Sequence, residues 1–212
     1  MKASPKILPG FEHINRYWDR IHKGFAAKIL PGEYFVTKDH EFIATVLGSC
    51  VSACICDPYN HIGGMNHFLL PLKSNEKWSG DNKLDSKATR YGNFAMEHLI
   101  NDIIKYGGEK KFLEVKIFGG SRIMDSTTDI GKSNIDFVRS FLHVEGLKVV
   151  AEDVGGINPR KVFFDPQTGR VKVRKLKHLH NDTISKRENN YKTELGSSDI
   201  SGEVDIFKDS IE

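Results

Sequence analysis

Two side chains in this chain have the makings of a nucleophile and its base. Cys50 ends the run Thr45-Val-Leu-Gly-Ser-Cys50, and seventeen positions later His67 ends Gly63-Gly-Met-Asn-His67. A cysteine attacks as its thiolate, and an adjacent imidazole is the usual means of forming one near neutral pH. Strand geometry tests the spacing. Between the two lies Asp57-Pro58-Tyr59-Asn60, a β-turn sequence with Asp first and the fixed φ of Pro second. A hairpin folded there sets Cys56 opposite His61 and Cys50 opposite His67, with opposed Cβ atoms about 4.5–5.5 Å apart. Gly48-Ser49 adds a small, permissive backbone through which a substrate carbonyl can reach main-chain N–H groups.

The ordinary role of each residue is different. A cysteine in an apolar strand is usually packing, which describes Cys54 and Cys56, and a buried histidine usually rests on a carbonyl. It is the pairing that singles out Cys50 and His67. The spacing Cys50-x3-Cys54-x-Cys56 with His61 and His67 nearby raises zinc as an alternative. Structural zinc draws its ligands from loops at short spacings, whereas these cysteines fall in an apolar strand with no second Cys/His pair following.

The elements that must position the pair follow from periodicity. Residues 1–27 read as an arm followed by a helix from Phe11 to about Phe25, with apolar residues at 11, 14, 17, 18, 21 and 25. Residues 28–180 read as one domain. Strands are expected at 28–30, 34–37 and 42–47, then the buried hairpin 51–56 and 62–70. Residues 73–87 are a polar loop carrying Trp78, a lid or an idle excursion. A helix over 91–106, a strand 112–118 and a helix 135–145 follow, then strands at 147–152, 160–164 and 170–176. Gly119-Gly120-Ser121-Arg122 lacks the phosphate-loop lysine and the dinucleotide fingerprint, so its glycines are read as admitting a close backbone approach beside the site. From 181 to 212 the polar composition reads as a disordered tail, with Ile200, Val204, Ile206 and Phe207 as a short segment for a partner.

Bulk properties narrow the classes. The 212 residues, 39% hydrophobic and 28% charged, suit a globular protein with a sizeable core. No apolar run reaches the ~18 residues of a membrane span, and the first residues lack the apolar stretch of a signal peptide. Three cysteines within seven positions make no disulfide framework, and together these features read as a reduced, cytoplasmic protein. The net charge of +3 conceals a tail of −4 on a body of +7, which favours an acidic partner surface. The basic run Lys172–Lys177 has no aromatic interleaving, so it reads as a lysine-blunted strand edge and not as a nucleic-acid site.

Several stretches in order resemble the CheD family, the chemoreceptor glutamine deamidases of bacterial chemotaxis, over residues 28–177: Leu30-Pro-Gly-Glu-Tyr34, Leu47-Gly-Ser-Cys-Val51, Gly63-Gly-Met-Asn-His-Phe-Leu-Leu-Pro71, Tyr91-Gly-Asn-Phe-Ala-Met-Glu97, Lys116-Ile-Phe-Gly-Gly120, Asp153-Val-Gly-Gly-Ile-Asn-Pro-Arg-Lys161 and Thr168-Gly-Arg170. The resemblance implies an α+β fold of layered mixed sheets with two main helices, similar to bacterial toxin deamidases. It assigns the nucleophile to Cys50 and the histidine to His67, and Thr45 is the threonine nearest to the family's third position. The implied reaction hydrolyses a glutamine amide to glutamate on a methyl-accepting receptor, with no metal or organic cofactor and no membrane insertion. For the oxyanion, the Cys50 N–H is the first candidate donor, with Ser49 and Thr45 next and Gly48 supplying the open backbone. The implied partners are receptors and, in some members, the phosphatase CheC. Two alternatives are a non-catalytic module that binds receptor or CheC, and a papain-like thiol hydrolase.

Overall fold

The computed structural model describes residues 4–72, 87–122, 129–176 and 181–197. Its strands are β1 (Asn15–Asp19), β2 (Gly24–Lys28), β3 (Tyr34–Thr37), β4 (Glu41–Leu47), β5 (Val51–Asp57), β6 (Ile62–Asn66), β7 (Glu114–Gly119), β8 (Val149–Val154), β9 (Arg160–Asp165) and β10 (Arg170–Lys175). Its helices are α1 (Lys87–Lys105), α2 (Ile130–Val144) and α3 (Asn181–Ser197). The strands form two five-stranded mixed sheets, ordered β1-β2-β4-β9-β10 and β3-β6-β5-β7-β8. All seven residues of β5 are buried. Helices α1 and α2 pack on this second sheet, and side chains of both sheets join one apolar cluster. This is the expected α+β layering, with a third helix added.

The chain changes sheets between β4 and β5, at Gly48-Ser49-Cys50. A segment leaving one ladder before entering the next has main-chain groups free for other partners. That corner is where the site forms.

Three expectations need correction. The stretch Phe11–Phe25 is not a helix: β1 and β2 form an antiparallel hairpin, with Asn15 opposite Lys28 and Asp19 opposite Gly24. Its turn is fixed locally, because the Asp19 carboxylate accepts from the N–H groups of Ile21 (3.0 Å) and His22 (2.8 Å) and Lys23 takes a left-handed φ of 51°. Aromatic residues at 17, 18 and 25 favour strands as readily as they fit a helical period.

The second correction concerns register. Asp57 pairs with Ile62 and Cys54 with Met65, and Val51 faces Phe68. This lies two residues from the expected register. A two-residue hairpin turn needs φ above zero at its centre, which Pro58 forbids. The chain instead makes a four-residue loop in which the Asp57 carboxylate accepts from the N–H groups of Tyr59 (2.9 Å) and Asn60 (3.0 Å), with His61 at φ 51°. A shift of two preserves which face each side chain points to. Cys50 and His67 therefore become diagonal neighbours, not opposed ones.

The third is the tail. Residues 181–197 form α3, with Ile184, Glu188 and Leu195 buried. The expected loop at 73–87, apart from Lys87 at the start of α1, and the apolar residues 200–207 lie outside the described residues.

Candidate active site

The floor of the site is the Gly48–Cys50 corner, held from behind. The Gly48 carbonyl accepts from Ser121 N–H (2.7 Å) and the Cys50 carbonyl from Gly120 N–H (2.7 Å). The Ser49 carbonyl accepts from the Asn134 side-chain amide (2.8 Å), whose oxygen accepts from Leu70 N–H (2.9 Å). With all three carbonyls engaged on one side, the three N–H groups turn to the other. Gly119 makes the close approach possible. Its φ is 110°, and a Cβ there would collide with the Cys50 carbonyl oxygen. Behind it, the buried Arg160 guanidinium donates to the Gly119 carbonyl and the Ser121 hydroxyl (both 2.9 Å), to the Gly155 carbonyl (2.7 Å) and to Asp153 (3.1 Å). Burial of that cation pulls its pKa down, against the pull of Asp153.

His67 follows β6 and is held by its backbone, its N–H donating to the Glu33 carbonyl (2.9 Å) and its carbonyl accepting from Gly32 N–H (2.7 Å). Its ring is held by Thr45 of β4. The Thr45 hydroxyl has one proton and gives it to the Ile29 carbonyl (2.8 Å), so at 2.8 Å from His67 Nδ1 its oxygen must accept. His67 is thereby fixed as the Nδ1–H tautomer, leaving Nε2 with a bare lone pair. That nitrogen has no hydrogen-bond partner among the described residues. Burial, then the nearby Arg187 cation, lower the His67 pKa to about 3, so the ring is a neutral base.

Cys50 is fully buried. Burial pushes its thiol pKa well up, and the adjacent Glu188 carboxylate pushes the same way. Glu188 comes from α3. Its Oε1 accepts from Gly48 N–H (2.8 Å) and Cys50 N–H (3.3 Å), and its Oε2 from Ser49 N–H (2.9 Å) and the Ser49 hydroxyl (2.6 Å). Consecutive main-chain N–H groups converging on an anion form a nest. The N–H groups of Gly48, Ser49 and Cys50, the residues named from sequence for the oxyanion, here converge on the Glu188 carboxylate. Thr45, also weighed as an oxyanion donor, points instead at His67.

The Cys50 sulfur, a His67 ring nitrogen and a Glu188 oxygen lie within 4.8 Å of one another, a donor set that zinc accepts in kind. Both Glu188 oxygens, however, are already spent on the nest. Cys54, Cys56 and His61, which raised the zinc reading from sequence, are not in this cluster. A pocket of about 320 Å³ opens beside His67 and Thr45, rimmed by Lys28, Lys161 and Arg187. No helix among the described residues is long and apolar enough to cross a membrane.

Sequence reasoning missed Asn134, Arg160 and Glu188. The first two work through backbone carbonyls far along the chain, which leave no local pattern. Glu188 did leave one: Ile184, Glu188, Tyr191 and Leu195 are spaced as one face of a helix. An acid within that stripe conceals it.

Comparison with known proteins agrees with the earlier resemblance. The family model described as CheD chemotactic sensory transduction matches residues 69–175. A protein of Halorhodospira halophila is 51% identical over 205 residues, covering 96% of this chain and 94% of its own, and bears the name "Probable chemoreceptor glutamine deamidase CheD". One of Hahella chejuensis with the same name is 50% identical, covering 96% and 95%. The crystal structure of Neisseria meningitidis protein NMB0706 aligns with 58% of this chain and 52% of its own at 10% identity and a TM-score of 0.34, a partial and distant likeness. With half its residues shared across nearly its whole length, the chain belongs to the CheD family.

Proposed function

We propose that this protein hydrolyses the side-chain amide of specific glutamines on methyl-accepting chemoreceptors, with Cys50 as nucleophile and His67 as base. The observation that carries this reading is the state of the His67 ring: Thr45 occupies Nδ1 and leaves Nε2 unpartnered, and a ring nitrogen lies within 4.8 Å of the Cys50 sulfur. The names of the relatives point the same way.

In the reaction, Nε2 takes the thiol proton and the sulfur attacks the amide carbon, whose oxygen acquires negative charge in the nest of N–H groups from Gly48, Ser49 and Cys50. The imidazolium returns its proton to the departing ammonia as the C–N bond breaks. Water, deprotonated by His67, then opens the thioester and releases glutamate and the thiol. Every step uses residues of this chain, without metal or organic cofactor. The proposed partners are receptor cytoplasmic segments, which would place the protein in the cytoplasm, with the CheC phosphatase a further partner carried by family resemblance alone.

The test is peptide mass spectrometry on a chemoreceptor cytoplasmic fragment incubated with the full chain, the Cys50→Ala variant and the His67→Ala variant. Wild type should convert glutamine to glutamate, Cys50→Ala should convert none, and His67→Ala should be slower by about 10²–10⁴-fold. Receptor retention in a pull-down without conversion would replace the enzyme reading with that of a binding module.

A further inference from the structure

Glu188 is a glutamate on a helix, and its side-chain carboxylate sits on the backbone nest beside Cys50. The product of the proposed reaction is also a glutamate side chain, and its carboxylate must leave from that same place. Three ordinary roles for Glu188 fit less well. It is not the orienting acid of a triad, because Nδ1 of His67 is held by Thr45 and Nε2 has no partner among the described residues. It is not needed to hold the corner, whose three carbonyls are bonded from the opposite side. Nor does it sit free to ligate a metal, since its oxygens accept four bonds from the loop.

Resting on the deamidase reading, we propose that helix α3 is the chain's own substrate surrogate: it docks in the receptor-helix site with Glu188 in the position of the product glutamate, closing Cys50 until a receptor helix displaces it.

The rest of α3 supports this. Tyr191, one turn on from Glu188, brings its hydroxyl to that of Tyr91 on α1 and crosses the Pro31-Gly32 turn, where a Cβ on Gly32 would collide with the Tyr191 ring. Ile184 and Leu195 seat the two ends of the same face, while Lys186 and Asn189 are exposed. The site thus accepts a side chain presented from one face of an α-helix. Burial, and then the docked carboxylate, raise the Cys50 thiol pKa, which disfavours the thiolate in the closed state.

An anion suits this nest better than an amide does. With a glutamine side chain in place of Glu188, one oxygen remains for the Gly48 and Cys50 N–H groups, but the –NH2 cannot accept from Ser49 N–H and turns to the Ser49 hydroxyl. That side chain would dock more loosely, and it would present a cleavable bond. Attack by the Cys50 sulfur on the amide carbon breaks the C–N bond and releases ammonia carrying the His67 proton. Water then breaks the C–S bond, and the net change is amide plus water to carboxylate plus ammonia, which regenerates Glu188.

The experiment is peptide mass spectrometry of full-length Glu188→Gln protein in chelator-treated buffer, beside Cys50→Ala/Glu188→Gln, with the receptor fragment assayed in parallel. Residue 188 should convert to glutamate in the single variant, at a rate independent of protein concentration, and stay glutamine in the double variant. Glu188→Ala, which frees the site, should lower the KM for the receptor fragment by about tenfold or more with kcat unchanged, because a larger fraction of the enzyme is open. An amide that persists at position 188 of the single variant while receptor glutamine is converted would overturn the surrogate and leave the deamidase standing. A fall in kcat in Glu188→Ala would overturn it too, by making Glu188 part of the machinery. Conversion of neither substrate would overturn both readings.

Discussion

The floor and the roof of this site are built to opposite standards. The floor is the Gly48–Cys50 corner, where every carbonyl is bonded from behind by Gly120, Ser121 or Asn134, and His67 is pinned through its backbone and through Thr45. The roof is one helix from the end of the described chain, held by two apolar residues, a tyrosine and a carboxylate. The floor draws on both sheets and on α2, so opening it disturbs the core. The roof can lift alone. A protein opens locally where few buried contacts must break, and such segments are the ones that move in regulation. Geometry that must be exact is placed in the core, and the part proposed to yield to a partner is a single helix outside both sheets.

The sharpest way to break the floor is Gly119→Ala. A Cβ there meets the Cys50 carbonyl oxygen, which is backbone and cannot swing aside, at a φ of 110° that L-residues rarely adopt. The expected loss is about 4 kcal/mol or more, the range of exceptional single substitutions. Thermal unfolding should fall by roughly 10 °C, and deamidation should go with it. A variant that melts like wild type yet is inactive would place the Gly119 effect in the nest alone.

A smaller effect tests how the floor fixes its base. Thr45→Val keeps the volume and removes the hydroxyl, leaving Nδ1–H of His67 and the Ile29 carbonyl buried without their shared partner. Each such group costs about 1–3 kcal/mol. If part of that appears as loss of the correct tautomer in the transition state, kcat falls by about 10- to 100-fold. Thr45→Ser, which restores the hydroxyl, should recover most of it. Equal kcat in all three proteins would remove Thr45 from the mechanism.

The same division explains what could be read from the sequence. The floor was largely legible because strands and turns write themselves locally: β3, β7, β9 and β10 begin and end within two residues of expectation. The close approach at Gly119-Gly120 also followed from the glycines. Cys50 and His67 met despite a register displaced by two, since parity decides the face and the Asp57 loop decides only the offset. The roof was not legible. A buried acid makes no sense in a helix considered alone, and its partners lie about 140 residues earlier as N–H groups, which no side-chain pattern reports. The β1–β2 hairpin was missed for a related reason. Its aromatic residues satisfy two periodicities, and pairing of β2 with β4 across the sheet settles which one wins.

The gentlest change probes the roof. Tyr191→Phe removes one hydroxyl, that shared with Tyr91, and leaves Glu188, the nest and the dyad in place. A neutral hydrogen bond contributes about 0.5–1.5 kcal/mol, so the open fraction of α3 should rise by about 2- to 10-fold. Because α3 opens without the sheets, global unfolding should hardly move, while amide exchange over residues 184–195 and alkylation of Cys50 should both quicken by that factor. The two rates must rise together, since lifting one helix both exposes its N–H groups and uncovers the sulfur. Faster exchange in α3 with unchanged Cys50 alkylation would show that the sulfur is sealed by something other than the roof. A loss of global stability of the same size would show that α3 belongs to the core after all, erasing the contrast between the two halves of the site.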